Sequence, residues 1–179
     1  MYRIVPGIAS LQQHLETLSS HPQVYRPARC PHCGLEGVLI HGCYTRKAAR
    51  NPSADGVSNP ISIPRYRCRG CRRTCSRLPA CVAPRRWCGW ALQQSVLHGL
   101  LIGNSLRQCS VKNHLDRRTV RRWRHWLGER SETFSFWLRA RFVELGRTVD
   151  WRSFWMRCFD CMPLREAMTC LDNDGVIVP

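Results

Sequence analysis

Lysine is nearly absent from this sequence. Of 28 basic residues, only Lys47 and Lys112 are lysines, and the other 26 are arginines. Acidic residues are scarce as well, 12 in all, which leaves a net charge of +16. No apolar run approaches the ~20 residues that a membrane-spanning helix needs, so a membrane protein is not expected. The opening residues, Met1 to Gly7, hold no apolar core stretch and no small-residue cleavage pattern, so no signal peptide is expected. Twelve cysteines in 179 residues fall below the density of a secreted disulfide scaffold, about 8–10%. There is no internal repeat. Charged residues make up 22% and apolar ones 44%, so a packed core is feasible and wholesale disorder is not expected. The length allows one ordinary domain or two small ones.

The charge that is present is unevenly placed. Residues 65–90 hold eight arginines and no acid, and residues 107–130 hold eight basic residues against Asp116 and Glu129. Residues 91–106 carry no charge, and residues 131–179 are close to neutral. Concentrated positive charge displaces counterions from a phosphate backbone, which makes nucleic acid the default partner. An anionic membrane is a weaker rival, because Arg and Trp do not segregate onto one long amphipathic helix.

Ile8, Leu11, Leu15 and Leu18 are spaced as one apolar stripe of a short helix over 8–18. Pro22 and Pro27 mark a linker over 22–29. From Cys30 to Cys71 the chain reads as turns and strands, with strands near 37–40 and 61–67 and a loop-like tip over 51–60. Pro84 suits a helix start, and helical spacing runs from Trp87 to Ile102 before Gly103. Further helical patterns cover 105–112, 116–127 and 131–145, the last with Ser131 as N-cap. Residues 148–160 are aromatic-rich, and the tail from Asp172 is expected to fray.

Two C-x2-C pairs stand out, Cys30-Pro31-His32-Cys33 and Cys68-Arg69-Gly70-Cys71. Without secretion, such cysteines point to metal rather than disulfides. Two such pairs can close a four-thiolate tetrahedral site, so Cys30, Cys33, Cys68 and Cys71 are the expected ligands of a structural Zn2+. The gap between the pairs is longer than in compact zinc modules, but closing a longer loop costs little more. Redox chemistry is a poor rival, since no βαβ pattern surrounds either pair. A weaker candidate for a second metal site is Cys158, Cys161 and Cys170. Cys43, Cys75, Cys81, Cys88 and Cys109 read as small core residues.

The stretch Ser105 to Trp123 reads as a short helix, a tight turn and a second helix capped by Asp116. Leu106, Cys109, Leu115, Val120 and Trp123 would pack between the helices. That sends Arg117, Arg118, Thr119, Arg121 and Arg122 outward at the start of the second helix, with Arg107 and Lys112 on the first. A helix N-terminus facing the major groove would set these side chains on phosphates and base edges. Arg can pair bidentately with guanine O6 and N7, and so would serve better than Lys in that role. His114 sits where the turn requires positive φ, a region that His tolerates better than most residues do.

Taken together, Cys30-Pro31-His32-Cys33-Gly34, Arg65-Tyr66-Arg67-Cys68-Arg69-Gly70-Cys71-Arg72-Arg73-Thr74 and Ser105 to Trp123 resemble the N-terminal zinc ribbon and helix-turn-helix of bacterial insertion-sequence transposases and their short regulatory proteins. The resemblance spans roughly residues 29–128. It implies binding to duplex DNA of a mobile element, with a transposase or recombinase and a second copy of the chain as partners, in the bacterial cytoplasm near the nucleoid. A complete transposase adds an RNase-H-like domain whose three carboxylates hold two metal ions. Residues 129–179 offer Asp150, Asp160, Asp172 and Asp174 but are too few for that domain, so a non-catalytic protein is expected. An N-terminal portion of a split transposase and an RNA-binding zinc-ribbon protein are the alternatives. The expected fold is mainly α with a small β zinc ribbon. It divides into an N-terminal helix and linker (1–28), a ribbon (29–80), a helix-turn-helix domain (81–128) and a C-terminal helical segment (129–179).

Overall fold

The computed structural model describes residues 3–48, 60–84 and 88–178. The loop-like tip, apart from Pro60, lies outside the described residues, as do Arg85, Arg86 and the Trp87 start of the expected helix. Helices make up nearly half of the chain and the sheets are small. Two compact units form, Met1–Gly89 with Gly175–Pro179, and Trp90–Asp174.

The first unit opens with β1 (Ile4–Val5), then α1 (Leu11–Ser20) and a 3-10 turn at Pro22–Tyr25. Ser10 and Gln13 cap α1 reciprocally, each side chain bonding the other's backbone N–H. The expected leucine stripe is only half-buried. The one fully buried residue of α1 is His14. Its Nε2–H donates to the Ser62 carbonyl at 2.9 Å, and its Nδ1 accepts from the Tyr25 hydroxyl at 2.5 Å. A polar ring survives at that depth because both nitrogens have partners.

β2 (Leu39–Arg46), β3 (Ile61–Arg67) and β4 (Thr74–Cys75) form an antiparallel sheet in the order β2-β3-β4. The β2–β3 register slips between Ile40 and Cys43, where Gly42 has φ +85°. Pro64 stands opposite Cys43 beside that bulge. A bulge is one of the few places where a strand tolerates the missing N–H of proline. β5 (Leu78–Pro79) pairs in parallel with β1. Two small clusters fill this unit. One packs Val5, Ile8, Tyr25, Val38 and Tyr66 with Cys30, Cys68 and Cys75; the other packs Ile61, Ile63, Leu78 and Val82.

The second unit is helical: α2 (Trp90–Leu101), α3 (Leu106–Lys112), α4 (Arg117–Arg141), α5 (Trp151–Cys161) and α6 (Leu164–Asn173). Gly103, at φ +99°, ends α2 as expected. A Cβ on Gly99 would approach the Cys109 sulfur to 3.2 Å, so that glycine lets α2 and α3 pack closely.

α4 runs unbroken through the expected boundary at 128/129, and through Ser131. Ser131 does not cap a new helix. Its hydroxyl turns back to donate to the Leu127 carbonyl at 2.6 Å and accepts the Trp155 indole N–H at 2.9 Å. Back-bonding to the preceding turn satisfies a buried serine without ending the helix. Val120, Trp123, Leu127, Phe134 and Leu138 form its buried face. Phe134 and Phe154 both meet Trp155 edge-on. The aromatic-rich stretch is therefore α5, capped by Asp150, whose carboxylate accepts from Ser153 N–H at 2.8 Å. The expected fraying from Asp172 is not seen, since that residue is fully buried near the end of α6.

Candidate metal centre and basic helix face

Four sulfurs come together at one end of the ribbon. The Sγ atoms of Cys30, Cys33, Cys68 and Cys71 all lie within 4.8 Å of one another. Cys30 to Cys71 is 3.6 Å and Cys33 to Cys68 is 3.5 Å. Four sulfurs each ~2.3 Å from a tetrahedral ion stand roughly 3.8 Å apart, so this cluster has the size of such a site. A disulfide would need about 2.05 Å, and all four thiols are free.

The two turns that carry the sulfurs share one backbone design. In the first, Cys30 N–H donates to Leu35 O at 2.8 Å and Gly34 takes φ +75°. In the second, Cys68 N–H donates to Arg73 O at 3.0 Å and Arg72 takes φ +59°. Thus the residue after each second cysteine turns left-handed. Glycine meets that need freely at 34, and arginine meets it at 72 with some strain. At Gly70 the constraint is milder: a Cβ there would come within 2.9 Å of the Leu35 Cδ2, the end of an exposed side chain that would have to shift. The Arg29–Glu36 ion pair, at 2.9 Å, straddles the first turn at the surface.

The turns act unequally on the sulfurs. Burial of Cys30 opposes ionisation. The backbone N–H groups of His32 and Cys33, with the thiols of Cys71 and Cys68, outweigh it and pull Cys30 down to about 6. His32 N–H lies 3.4 Å from its sulfur. Cys71 moves the other way. The Arg73 N–H favours its thiolate, but burial and three neighbouring sulfurs push it up to about 11. Thiols this close disfavour one another's ionised forms, a penalty that a bound cation relieves. The four cysteines can therefore hold one metal ion.

The weaker candidate is not assembled. Among the described residues Cys158, Cys161 and Cys170 form no group close enough to hold an ion. Cys158 is buried inside α5 whereas Cys161, three residues on, is exposed. Burial, reinforced by Cys161 and Cys170, pushes the Cys158 thiol up to about 12, which disfavours the thiolate that a metal needs. Cys75 and Cys109 are buried, as expected of core thiols, whereas Cys43 is exposed.

The second assembly lies on α3 and α4. Ser105 and Gln108 cap α3 reciprocally. His114 takes φ +51° in the connecting turn, and the Asn113 amide donates to Cys109 O at 2.9 Å. The Ser110 hydroxyl crosses the turn to Leu115 O at 2.6 Å. Asp116 caps α4 by accepting from Arg118 N–H at 2.7 Å. Cys109, Leu115, Val120 and Trp123 are buried and Leu106 is half-buried. Arg107 and Lys112 on α3 are exposed, as are Arg117, Arg118, Arg121 and Arg122 on α4, while Thr119 is half-buried. No ion pair among the described residues engages any of those six basic side chains. The first acidic residue within α4 is Glu129, which pairs with His125 at 3.0 Å.

The four aspartates of residues 129–179 are scattered. Asp150 caps α5, Asp160 is exposed, Asp172 is buried in α6, and Asp174 pairs with Arg141 at 2.8 Å. What the sequence passed over was the His14–Tyr25–Ser62 network. His14 sits one residue before Leu15 of the expected stripe, and only its neighbours across the fold distinguish it from a surface histidine.

The chain belongs to the family described as Domain of unknown function (DUF6431), which it matches over residues 30–123. That stretch begins at the first cysteine ligand and ends at Trp123 in α4. No curated protein and no solved structure matches the chain. No helix among the described residues is long and apolar enough to cross a membrane.

Proposed function

We propose that this protein is a zinc-dependent, sequence-specific duplex-DNA-binding protein, with α3 and α4 as a helix-turn-helix, serving a mobile genetic element as accessory factor or repressor. The observation that carries this reading is the start of α4. Four exposed arginines follow an Asp116 cap, with no acidic partner and no acidic residue before Glu129. Beyond the Asp116 carboxylate, which caps the helix, the first three turns of α4 hold no acid, and four guanidinium charges there favour phosphate. The tight turn through His114 lets α3 buttress α4 while leaving that end exposed, which suits a helix entering the major groove. Zinc suits four thiolates without an open position, so the metal acts in folding and not in catalysis. The mobile-element role rests on the resemblance of the ribbon and the two helices to insertion-sequence proteins.

The test is binding to duplex and single-stranded DNA across a salt series. The wild type should prefer duplex, with affinity falling steeply as salt rises. Arg117→Ala and Arg121→Ala should each weaken binding and lower the salt slope by about one. Unchanged affinity and slope in both variants would remove the helix-turn-helix from this role. Duplexes selected from a random pool should converge on one motif.

A further inference from the structure

We propose that the second cysteine turn is a phosphate-binding element in its own right, holding the backbone of duplex DNA through Arg67, Arg69, Arg72 and Arg73 without reading its sequence. A contrast between the two cysteine turns carries this. Both need a left-handed residue after the second cysteine. Gly34 supplies it at φ +75° and Arg72 at φ +59°. A side chain is strained in that region and glycine is not. Strain kept where glycine would serve points to a task for the side chain.

The charges differ in the same sense. At the first turn Arg29 is paired with Glu36 at 2.9 Å. At the second, Arg67, Arg69, Arg72 and Arg73 are all exposed, and among the described residues no ion pair engages any of them. No acidic residue occurs between positions 65 and 90. The backbone gathers the four. Arg67 Nε–H donates to the Arg72 carbonyl at 3.3 Å, and Cys68 N–H to the Arg73 carbonyl at 3.0 Å. Guanidinium groups gathered in this way repel one another, and an anion between them relieves the repulsion. The metal centre is not that anion in full. A divalent ion on four thiolates keeps two negative charges, which balance half of the four arginines and leave the rest for an outside partner. The planar guanidinium fork matches phosphate. An anionic membrane suits the turn less well, because the ring of this stretch, Tyr66, is buried and membrane surfaces are met by exposed apolar groups. Phosphate contacts carry no sequence information, so the turn adds affinity on every duplex. The site lies within the first unit and does not rest on the helix-turn-helix.

Arg72→Gly is the sharpest test. It deletes the side chain and, as Gly34 shows, keeps a turn that glycine makes freely. The readout is binding of the full-length, metal-loaded protein to a duplex of arbitrary sequence over a salt series. The background is Arg117→Ala with Arg121→Ala, which weakens the contribution of α4. That background should still bind duplex. Adding Arg72→Gly should lower the log–log salt slope by about 0.9, and adding Arg69→Ala should lower it by about 0.9 again. Metal content should stay at one per chain. Should Arg72→Gly lose metal, Arg69→Ala alone, away from the strained position, decides by the same slope. A background that no longer binds duplex, or a slope unchanged by these variants, would overturn the proposal. So would weaker metal binding with an unchanged slope, which would reduce the arginines to partners of the thiolates. Arginine-dependent binding to phosphatidylserine vesicles without binding to duplex would overturn it in favour of a membrane surface. The two sites are scored by separate variants, so a failure of either leaves the other to its own test.

Discussion

The two units solve the problem of stability differently. The ribbon unit has strands of two to eight residues and two small apolar clusters, one of which takes in Cys30, Cys68 and Cys71 of the four-thiol group. Its backbone runs through left-handed residues at both cysteine turns. Cores of that size supply little hydrophobic stabilisation, and a metal held by the four sulfurs would anchor the unit. The helical unit has no comparable thiol site among the described residues. Trp123, Leu127, Phe134, Leu138, Phe154 and Trp155 are all essentially buried there. Its one long helix is capped at Asp116 and gripped at Ser131 by the Trp155 indole. A thiol group able to hold a metal stands in the fold with few apolar contacts; aromatic packing fills the one with many.

That contrast can be broken most directly at the metal. Cys68→Ser, or a strong chelator, removes an interaction whose apparent strength in small zinc modules is about 10–16 kcal/mol. The ribbon strands should lose amide-exchange protection while α2–α6 keep theirs. Equal loss of protection in α4 would show that the helices depend on the metal as well. Next in size is Phe134→Ala, which removes a fully buried ring in contact with Trp155 and should cost about 3–5 kcal/mol. Urea melting followed by helical signal should shift strongly, while the metal content stays at one per chain.

The smallest effect concerns His14. Burial lowers its pKa, partly opposed by the bond to Ser62, so the unfolded chain takes up a proton at a pH where the folded one does not. The ribbon unit should therefore be most stable above the ordinary histidine value of about 6.5 and lose stability as pH falls below it. The slope from this one group is at most about 1.4 kcal/mol per pH unit. His14→Gln should flatten it. An identical pH dependence in wild type and variant would show that His14 is not the source of the acid sensitivity.

Much of the candidate site was legible in the sequence for chemical reasons. Two C-x2-C pairs have few stable fates outside metal, and their sulfurs do converge. The turn at His114 and the cap at Asp116 were readable because left-handed backbone and N-capping are local demands. Other features were not local. Ser131 looks like a cap until Trp155, 24 residues away, claims its hydroxyl. Cys158 and Cys161 look like a metal pair until α5 turns one inward and the other out. His14 reads as polar surface until Tyr25 and Ser62 close over it.

The sequence by itself determined where charge concentrates, which four thiols meet and how α3 turns into α4, because each depends on residue type and short spacing. Only the tertiary structure decided that residues 117–141 are one helix and that the aspartates of the last third scatter. Those outcomes depend on which distant side chain reaches a given hydroxyl, carboxylate or ring first, and that competition is settled in three dimensions.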